Sequence, residues 1–330
     1  MKTQKRKLDH LRVCLQRDVQ SGRTNGFERY ELLHDALPDM NFDEINIISK
    51  FLGKDFDAPI FIEPMTGGTA EAEKINKNLA KAAQDVGIGM GVGSQRAMIE
   101  NPDLAPTYFV KDIAPDIFLA GNIGASHILE LSTEQVAQVV DRIKADALVI
   151  HLNTAQEIAQ MDGHKKWKGA LDAIKKLRSE FKMPVIVKEV GCGITGKAAD
   201  RLEKTGIDAI DVAGVGGTSW IKVDSLITGK PLNNFFGWGM QTAQCVEQCM
   251  EKVKVPVIAS GGIRNGIEAT KALAMGASLV GLALPLLKPA TKSADAVKAV
   301  LNQIITEIKI SMFLVGAPNL GELKGKVVKI

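Results

Sequence analysis

The stretch Asp-Ala-Leu-Val-Ile-His-Leu-Asn-Thr-Ala-Gln-Glu (146–157) changes character halfway along its length. It begins as an apolar run typical of a buried strand. It ends in four side chains that can hydrogen-bond, accept a proton or hold a metal, namely His151, Asn153, Gln156 and Glu157. Polar groups at the end of a buried strand are expected where several strand ends share one functional face.

Seven other apolar runs have the same form, and glycine or polar residues follow each of them. The eight runs cover residues 58–64, 87–92, 116–121, 146–152, 184–189, 207–214, 255–260 and 277–283. Between them lie amphipathic segments with apolar residues three and four positions apart, a spacing that predicts helices. Most runs are apolar at consecutive positions, which is typical of parallel strands covered on both faces. The sequence therefore predicts an α/β protein, a single (β/α)8 TIM barrel.

An open doubly wound sheet is the alternative, because it also alternates strands with helices. The glycine fingerprint of dinucleotide-binding sheets does not follow the first run, and this favours the barrel. Ser132 and Thr195 are predicted helix starts. Gly87, Gly206 and Gly276 are predicted helix ends.

Two regions fall outside the eight units. Residues 1–57 are predicted to form an N-terminal extension of the same domain, with a basic arm and a hairpin within 42–59 that plugs the bottom of the barrel. Residues 58–330 would form the barrel itself. Residues 221–237 are predicted to be a long loop after the sixth strand, and long loops on this face are often lids.

The bulk composition excludes several classes of protein. Of 330 residues, 45% are hydrophobic and 24% are charged, which is ordinary for a globular protein. No apolar run reaches the length of a membrane span. The charged N-terminus lacks the apolar core of a signal peptide, so we expect a cytoplasmic location. A net charge of +3 with 5% aromatic residues does not indicate nucleic-acid binding.

The run Ser-Gly-Gly-Ile-Arg-Asn-Gly (260–266) is the best candidate phosphate site. Its glycines would let backbone N–H groups approach phosphate oxygens at the positive end of the next helix. Arg264 could add a charged fork. A tight turn with a surface arginine is the alternative, but a second glycine loop, Gly-Val-Gly-Gly-Thr-Ser (214–219), favours the phosphate site.

Lys188 lies within the apolar run 184–189, where an unpaired lysine would be costly to bury. A salt bridge, most simply to Glu189 or Asp211, is one interpretation. Contact with a ligand is the other, and we favour it because Lys188 lies at the mouth. The same argument applies with less force to Asn122. Cys192, between two glycines, is either a reactive thiol or a small space-filling residue.

The polar residues of the opening stretch and of the N-terminus also allow two interpretations. His151 could be a core histidine, and Glu157 could cap a helix start. Alternatively, Glu157 holds Mg²⁺ against a phosphorylated substrate. The basic start, with Arg6, Lys7 and His10, is ordinarily a solvated tail but could fold over a diphosphate.

These segments together resemble the type 2, FMN-dependent isopentenyl-diphosphate delta-isomerases. The most specific of them are Arg6-Lys7-x-x-His10 and His151-Leu-Asn-x-x-Gln-Glu157. The resemblance also covers residues 65–68, 93–96, 122–125, 188–191, 216–220 and 260–264. The segments run in order from about residue 5 to residue 284, so the resemblance spans most of the chain.

The resemblance implies a role for each matching residue. FMN would be held by Met65, Thr66, Gly67, Ser94, Asn122, Lys188, Thr218, Gly261, Gly262, Arg264, Ala283 and Leu284. The diphosphate substrate would be bound by Arg6, Lys7, His10, Ser94, Gln95, Arg96, His151, Asn153 and Gln156. Gln156, His151 and Asp224 would serve catalysis, and Glu157 would bind Mg²⁺.

The implied reaction moves a double bond from isopentenyl to dimethylallyl diphosphate. A proton is added at one carbon and another is removed two carbons away. The family runs this reaction on reduced FMN, with NADPH only as the reductant. Asp224 departs from the glutamate that the family usually has at this position. The family commonly forms octamers, so a homo-oligomer, octamer or tetramer, is expected.

Two other functions remain as alternatives. The first is an FMN-dependent oxidoreductase of the same barrel class, acting on a small phosphorylated or 2-hydroxy-acid substrate. Hydroxy-acid oxidases need a histidine base near the mouth, and the loop Ala-Gly-Val-Gly-Gly-Thr-Ser-Trp (213–220) has none. The second alternative is a phosphate-binding barrel without catalysis.

Overall fold

The computed structural model describes residues 2–330, and Met1 lies outside the described part. Eight parallel strands form a closed barrel: Ile60–Ile62, Gly89–Gly91, Leu119–Gly124, Ala147–Leu152, Val185–Glu189, Ala209–Asp211, Val257–Ser260 and Leu279–Leu282. They pair in chain order, and the eighth strand pairs with the first. Each predicted run overlaps one strand. The predicted (β/α)8 barrel is therefore confirmed, and the open sheet is excluded.

Helices follow the strands and cover the barrel from outside. They are Ala70–Val86, Arg96–Glu100, Ala125–Ile128, Thr133–Asp141, Thr154–Ala159, Ala170–Glu180, Gly196–Glu203, Trp220–Thr228, Thr242–Lys252, Gly266–Ala274, Leu284–Lys292, Ala294–Leu314 and Leu320–Leu323. Ser132 and Thr195 accept hydrogen bonds from the backbone N–H groups of Gln135 and Ala198, as predicted for helix starts. Gly87, with φ of 72°, ends Ala70–Val86. No helix within residues 2–330 combines the length and the apolarity needed to cross a bilayer.

The predicted hairpin covers the bottom of the barrel. Ser49–Phe51 pairs antiparallel with Lys54–Phe56. The rings of Phe51 and Phe56 lie 6.0 Å and 5.8 Å from the ring of Phe118, which precedes the third strand. Phe118 also contacts Phe61 of the first strand. These aromatic side chains close the amino ends of the strands, so the opposite end remains for a site.

The N-terminal segment and the C-terminus frame the barrel. The predicted basic arm is a helix, Lys2–Gln16, that packs against Trp220–Thr228. A short strand, Tyr30–Leu32, pairs antiparallel with Val327–Lys329 and joins the extension to the end of the chain.

The prediction of an uninterrupted loop over 221–237 is wrong in its first half. Residues 220–228 form a helix whose start is capped by Ser219 and whose end is Gly229, with φ of 72°. Ile221 and Val223 are buried in it. Their spacing of two does not follow the helical period, which explains why the pattern of apolar residues did not indicate a helix. Residues 229–241 form the loop, with a 3-10 turn at Asn233–Phe235.

Candidate active site

The carboxyl ends of the eight strands open into one cavity, and the helix Lys2–Gln16 covers part of the opening. Most of the predicted site residues line this cavity: Arg6, Lys7, His10, Met65, Thr66, Ser94, Arg96, Asn122, His151, Asn153, Gln156, Glu157, Lys188, Thr218, Gly261, Gly262, Arg264, Ala283 and Leu284. Segments that are distant in sequence therefore meet at one rim, as the fold requires.

Three predicted residues do not line the cavity: Gly67, Gln95 and Asp224. The Gln95 amide is buried, donates to the carbonyl oxygen of Val139 at 2.9 Å and accepts the N–H of Asn122 at 2.9 Å. Its hydrogen-bonding groups are thus used within the protein, and the predicted contact with substrate has no support in this geometry. Gly67 packs against Tyr108, where an added Cβ would come within 2.0 Å of the ring atom Cε1.

The floor of the cavity holds a buried lysine between two carboxylates. Lys188 Nζ lies 3.0 Å from Asp211 Oδ2 and 3.1 Å from Glu63 Oε2. Burial lowers the pKa of Lys188, but the adjacent carboxyl groups of Asp211 and Glu63 outweigh it and raise that pKa above its usual value. Lys188 is therefore charged. It forms the predicted bridge to Asp211 and also lines the cavity, so the two interpretations of Lys188 are compatible.

Glu189 does not pair with Lys188 through its side chain. Its Oε2 accepts the backbone N–H groups of Val190 at 2.7 Å and Gly191 at 2.8 Å, and that of Cys192 at 2.5 Å. Burial, followed by the charge of Glu189, raises the pKa of the Cys192 thiol. A protonated thiol is a poor nucleophile, so Cys192 fits the space-filling role.

Two glycine-rich loops pack backbone against backbone beside the floor. An added Cβ on Gly262, with φ of 81°, would come within 2.2 Å of the carbonyl carbon of Gly216. Arg264 follows, and within residues 2–330 its buried Nη2 has no hydrogen-bond partner. The Asn265 side chain caps the helix Gly266–Ala274. An unpaired guanidinium nitrogen beside glycine N–H groups and a helix start suits a phosphate group.

Asn122 and His151 form a pair on adjacent strands. His151 Nδ1 lies 2.6 Å from Asn122 Oδ1. An amide oxygen only accepts, so Nδ1 carries the hydrogen and Nε2 has a free lone pair in the neutral ring. Burial and then the charges of His127, Lys188 and Lys7 lower the pKa of His151 to about 3. The imidazole is thus neutral near pH 7.

The mouth of the cavity collects basic side chains. On the helix Lys2–Gln16, residues 3, 6, 7, 10, 11 and 14 face the cavity, a spacing that places them on one helical face. Arg6 Nη1 donates to Gln160 Oε1 at 2.9 Å. Lys7 Nζ donates to the carbonyl oxygen of Ser94 at 2.6 Å and to the Tyr108 hydroxyl at 2.9 Å.

Lys7 has no salt bridge among the described residues. Burial, followed by the charge of Arg6, lowers the pKa of Lys7 to about 7, and Glu100 opposes this only in part. The pKa of His127, another cavity residue, is lowered to about 4 by burial and then by Arg96. These neighbouring basic groups repel one another when protonated, so a bound anion would stabilise their charged forms.

A chain of hydrogen bonds connects the N-terminal helix to the helix Thr154–Ala159, which follows the fourth strand. His10 Nε2 lies 2.8 Å from Asp224 Oδ1, and Gln156 Nε2 donates to Asp224 Oδ2 at 3.1 Å. The ring of His10 also packs edge-on against Trp220 at 5.3 Å. Asp224 is buried and lies behind the cavity lining. It therefore orients Gln156 rather than reaching the cavity itself.

Glu157 is buried at the cavity wall. Its Oε1 accepts from Asn153 Nδ2 at 3.0 Å and its Oε2 accepts the backbone N–H of His164 at 2.6 Å. Asn153 Oδ1 has no partner within residues 2–330. No cluster of three or more His, Cys, Asp or Glu side chains in that range is arranged to hold a metal. Mg²⁺ here would need oxygens from a bound phosphate, which is how it is commonly held.

Comparison with known proteins identifies the family of this chain. The isopentenyl-diphosphate delta-isomerase of Thermococcus kodakarensis is 48% identical over 97% of this chain and 89% of that protein. The proteins of the same name from Nostoc sp. and Rickettsia felis are each 42% identical over 98% of this chain, and the matches cover 94% and 96% of their lengths. The chain belongs to the isopentenyl-diphosphate delta-isomerase family.

Wider comparisons agree with the fold of this family. The family model described as FMN-dependent dehydrogenase matches residues 120–330. A solved (S)-mandelate dehydrogenase, a monotopic membrane protein, has a TM-score of 0.69 at 17% identity and covers 100% of this chain and 97% of that chain. A mandelate oxidase with an FMN adduct has a TM-score of 0.67 at 16% identity and covers 93% and 90% of the two chains. At these identities the likeness shows the fold alone.

The residues present fit FMN. The unpaired Arg264 Nη2 and the glycine loops suit its phosphate. Lys188 at the floor suits the electron-rich edge of a flavin ring. The match to the FMN-dependent dehydrogenase family and the geometry of these residues therefore both support FMN as the cofactor.

Three cavity residues were not anticipated from the sequence, namely Glu63, His127 and Gln160, and neither was Tyr108, which accepts from Lys7. Glu63 could have been predicted, because it lies next to the end of the first apolar run as Lys188 does in the fifth, and a charged residue there needs a partner. Tyr108 belongs to a segment between the second and third strands, next to the 3-10 turn Pro102–Thr107. No periodic pattern places such a segment at the mouth.

Proposed function

We propose that the protein interconverts isopentenyl diphosphate and dimethylallyl diphosphate on reduced FMN, with Mg²⁺ bound to the substrate. The observation that carries the proposal is the pair Arg6 and Lys7, half-buried without a carboxylate partner above the glycine loops and Lys188, which fit FMN. A diphosphate supplies the missing negative charge, and the glycine loops with Lys188 supply the place for the cofactor.

The cofactor would be held by residues at or just after the ends of seven strands, all but the fourth: Met65, Thr66, Ser94, Asn122, Lys188, Thr218, Gly261, Gly262, Arg264, Ala283 and Leu284. Reduced FMN, when bound, supplies an acid/base group at the ring for the two proton steps. NADPH is the proposed reductant. The chain's own part is to bind the phosphate, exclude water and hold the isoprene unit over the ring.

The diphosphate would be bound by Arg6, Lys7, Arg96 and His151, with Ser94 beside them. Lys7 and His151 have lowered pKa values in the free protein, and a neighbouring anion reverses that shift. Glu157 would hold Mg²⁺ through the lone pairs that its two hydrogen bonds leave free.

The isoprene unit would lie against Gln156. This side chain is fixed at both ends, because its Nε2 donates to Asp224 and its Oε1 accepts from Asn153 Nδ2 at 3.2 Å. Asp224, with His10 on its other oxygen, is a positioning residue. Because the Gln156 amide is already held in place, this side chain loses no further conformational entropy when the substrate binds.

The test begins with the purified protein, which should be yellow and should bleach with NADPH or dithionite. Reduced protein with Mg²⁺ and isopentenyl diphosphate in deuterated water should then yield deuterated dimethylallyl diphosphate without net consumption of NADPH. A protein that takes up no FMN would contradict the cofactor assignment.

The same assay separates the rival functions. Steady oxidation of an organic acid, coupled to flavin reduction, would support the FMN-dependent oxidoreductase. Bound flavin with no turnover of either substrate would support a binding barrel. A cytoplasmic location and a homo-octamer or homotetramer stay predictions, which fractionation and light scattering address.

A further inference from the structure

Glu63 stands out among the buried charged residues because its carboxylate is poorly satisfied. It directly follows the first barrel strand, and within residues 2–330 neither of its oxygens has a hydrogen-bond partner. Its close positive charge is Lys188, with 3.1 Å between Oε2 and Nζ. On its other side, an added Cβ on Gly281 of the eighth strand would come within 2.0 Å of Oε1.

Asp211 is satisfied far better than Glu63. Its Oδ2 lies 3.0 Å from Lys188 Nζ. Its Oδ1 accepts from Ser260 Oγ at 2.5 Å and from the N–H of Ala213 at 3.3 Å. Of two carboxylates that compete for one lysine, the one with more donors keeps its negative charge and the other tends to protonate.

Within residues 2–330, Lys188 is the one cation that faces Glu63, and no second one offsets a negative charge on its carboxylate. The elements around it contribute Lys188, Asp211, Ser260 and Gly281, and Lys188 is next to His151 of the fourth strand. His151 is neutral because its pKa is about 3. With both carboxylates ionised, the three-residue group would hold one net negative charge in a buried place, which is costly.

We propose that Glu63 keeps its proton in the folded protein, so that the group Glu63–Lys188–Asp211 carries no net charge beneath the cofactor. Glu63 is then a positioning residue that acts through Lys188. Because the group is neutral, it does not repel the negative charge that a reduced flavin acquires. The effect on FMN rests on the proposed function, whereas the proton on Glu63 does not.

The electrostatic surroundings of Glu63 favour its protonated form. Burial, followed by the charge of Asp211, raises the pKa of Glu63 well above its usual value, and Lys188 opposes this only in part. A raised carboxyl pKa in a cavity is a frequent mark of a functional site.

The first experiment is infrared spectroscopy of the wild-type protein at neutral pH in deuterated water. A protonated carboxylic acid gives a carbonyl stretch apart from the carboxylate bands. We expect this band to shift when glutamate is labelled with ¹³C, to stay when aspartate is labelled, and to be lost in Glu63→Gln. If no band is present, or if it follows the aspartate label, the proposal is overturned.

The second experiment compares the midpoint potential of bound FMN in the wild type and in Glu63→Gln. A glutamine mimics a protonated glutamate, so at pH 7 the two potentials should differ by less than about 30 mV, a tenfold change for a two-electron couple. At a pH where Glu63 ionises, the wild-type potential should fall below that of the variant. An equal upward shift in Glu63→Gln at every pH would mean that Glu63 is always ionised.

The infrared result needs no FMN and no turnover. A protein without isomerase activity could therefore still show the glutamate band, and an active isomerase could lack it. The two proposals thus fail separately.

Discussion

The floor and the mouth of the cavity each hold a lysine, and the pKa values of the two lysines are shifted in opposite directions. Lys188 at the floor lies about 3 Å from the carboxyl groups of Asp211 and Glu63, which outweigh the effect of burial, Asp211 first, and raise its pKa. Lys7 at the mouth contacts only a carbonyl oxygen and a hydroxyl, with Arg6 nearby, and its pKa is lowered to about 7. Lys188 is buried and Lys7 is half-buried, and burial lowers the pKa of both, so burial does not explain the difference.

What differs is whether the protein supplies the opposite charge itself. The floor is complete before any ligand binds, so it can serve as a preorganised support for a cofactor. The mouth is complete only when an anion arrives, so its cost of burial is recovered on binding. The contrast supports the proposed binding of the substrate diphosphate at the mouth.

The largest expected effect is on stability at the floor. Lys188→Met leaves Asp211 buried without its countercharge, and breaking such a pair costs about 3–5 kcal/mol of the free energy of unfolding. The double variant Lys188→Met/Asp211→Asn should recover part of that loss. Urea unfolding of the FMN-free protein measures both.

The matched control for the floor is Lys7→Met, which removes a lysine that lacks a countercharge. It should leave stability nearly unchanged or raise it slightly. Equal destabilisation by Lys188→Met and Lys7→Met would break the comparison between the two ends.

The next effect is on diphosphate binding at the mouth. Lys7→Met removes a charged donor from the proposed anion site, which is worth about 1.5–3 kcal/mol. The dissociation constant of inorganic diphosphate should rise roughly 10- to 100-fold by calorimetry. Lys5→Met, at an exposed position of the same helix, is the control and should bind normally. Equal affinity in the two variants would remove Lys7 from the anion site.

The pH dependence of the mouth follows from the lowered pKa of Lys7. In the free protein Lys7 is largely neutral at pH 8, because its pKa is about 7. A bound diphosphate favours the ammonium form, so binding at pH 8 should take up a proton and affinity should fall as pH rises above 7. Calorimetry in two buffers of different ionisation enthalpy measures the uptake.

The effect of rising pH on protein stability is opposite in sign to its effect on diphosphate affinity. Between pH 7 and 10.5 the unfolded chain holds more protons on this lysine than the folded protein does, so this residue makes stability rise with pH across that window. Lys7→Met should lose both the proton uptake and this slope. An unchanged uptake in Lys7→Met would assign the proton to another group, such as His151.

Much of the floor and the rim could be predicted from the sequence. The strands were predictable because each is a short apolar run bounded by glycine or polar residues, and the closed order of a barrel then brings their ends together. Lys188, Asn122 and Arg264 were predictable as site residues because polar groups at such strand ends need partners.

The mouth was less predictable because its elements do not follow the barrel's repeat. The helix Lys2–Gln16 has few apolar residues, and its inward face is basic, so its pattern indicated a solvated arm. Tyr108 reaches Lys7 from outside any strand or helix. Gln95 was assigned to substrate through its neighbours Ser94 and Arg96, but its amide points into the core. The positions of the N-terminal helix, Tyr108 and Gln95 all depend on tertiary contacts, which a local sequence pattern does not indicate.

The smallest expected effect lies between the two ends, at Asp224. Asp224→Asn keeps an acceptor for Gln156 Nε2 but weakens the contact with His10, and losing one such hydrogen bond costs about 1 kcal/mol. We expect a roughly fivefold loss in kcat with little change in the affinity for diphosphate, since Asp224 touches neither the anion site nor the floor. Asp18→Asn is the matched control, because Asp18 is exposed and pairs with Lys222 of the same helix at 2.8 Å. A loss in diphosphate affinity as large as that of Lys7→Met would mean that Asp224 belongs to the anion site at the mouth.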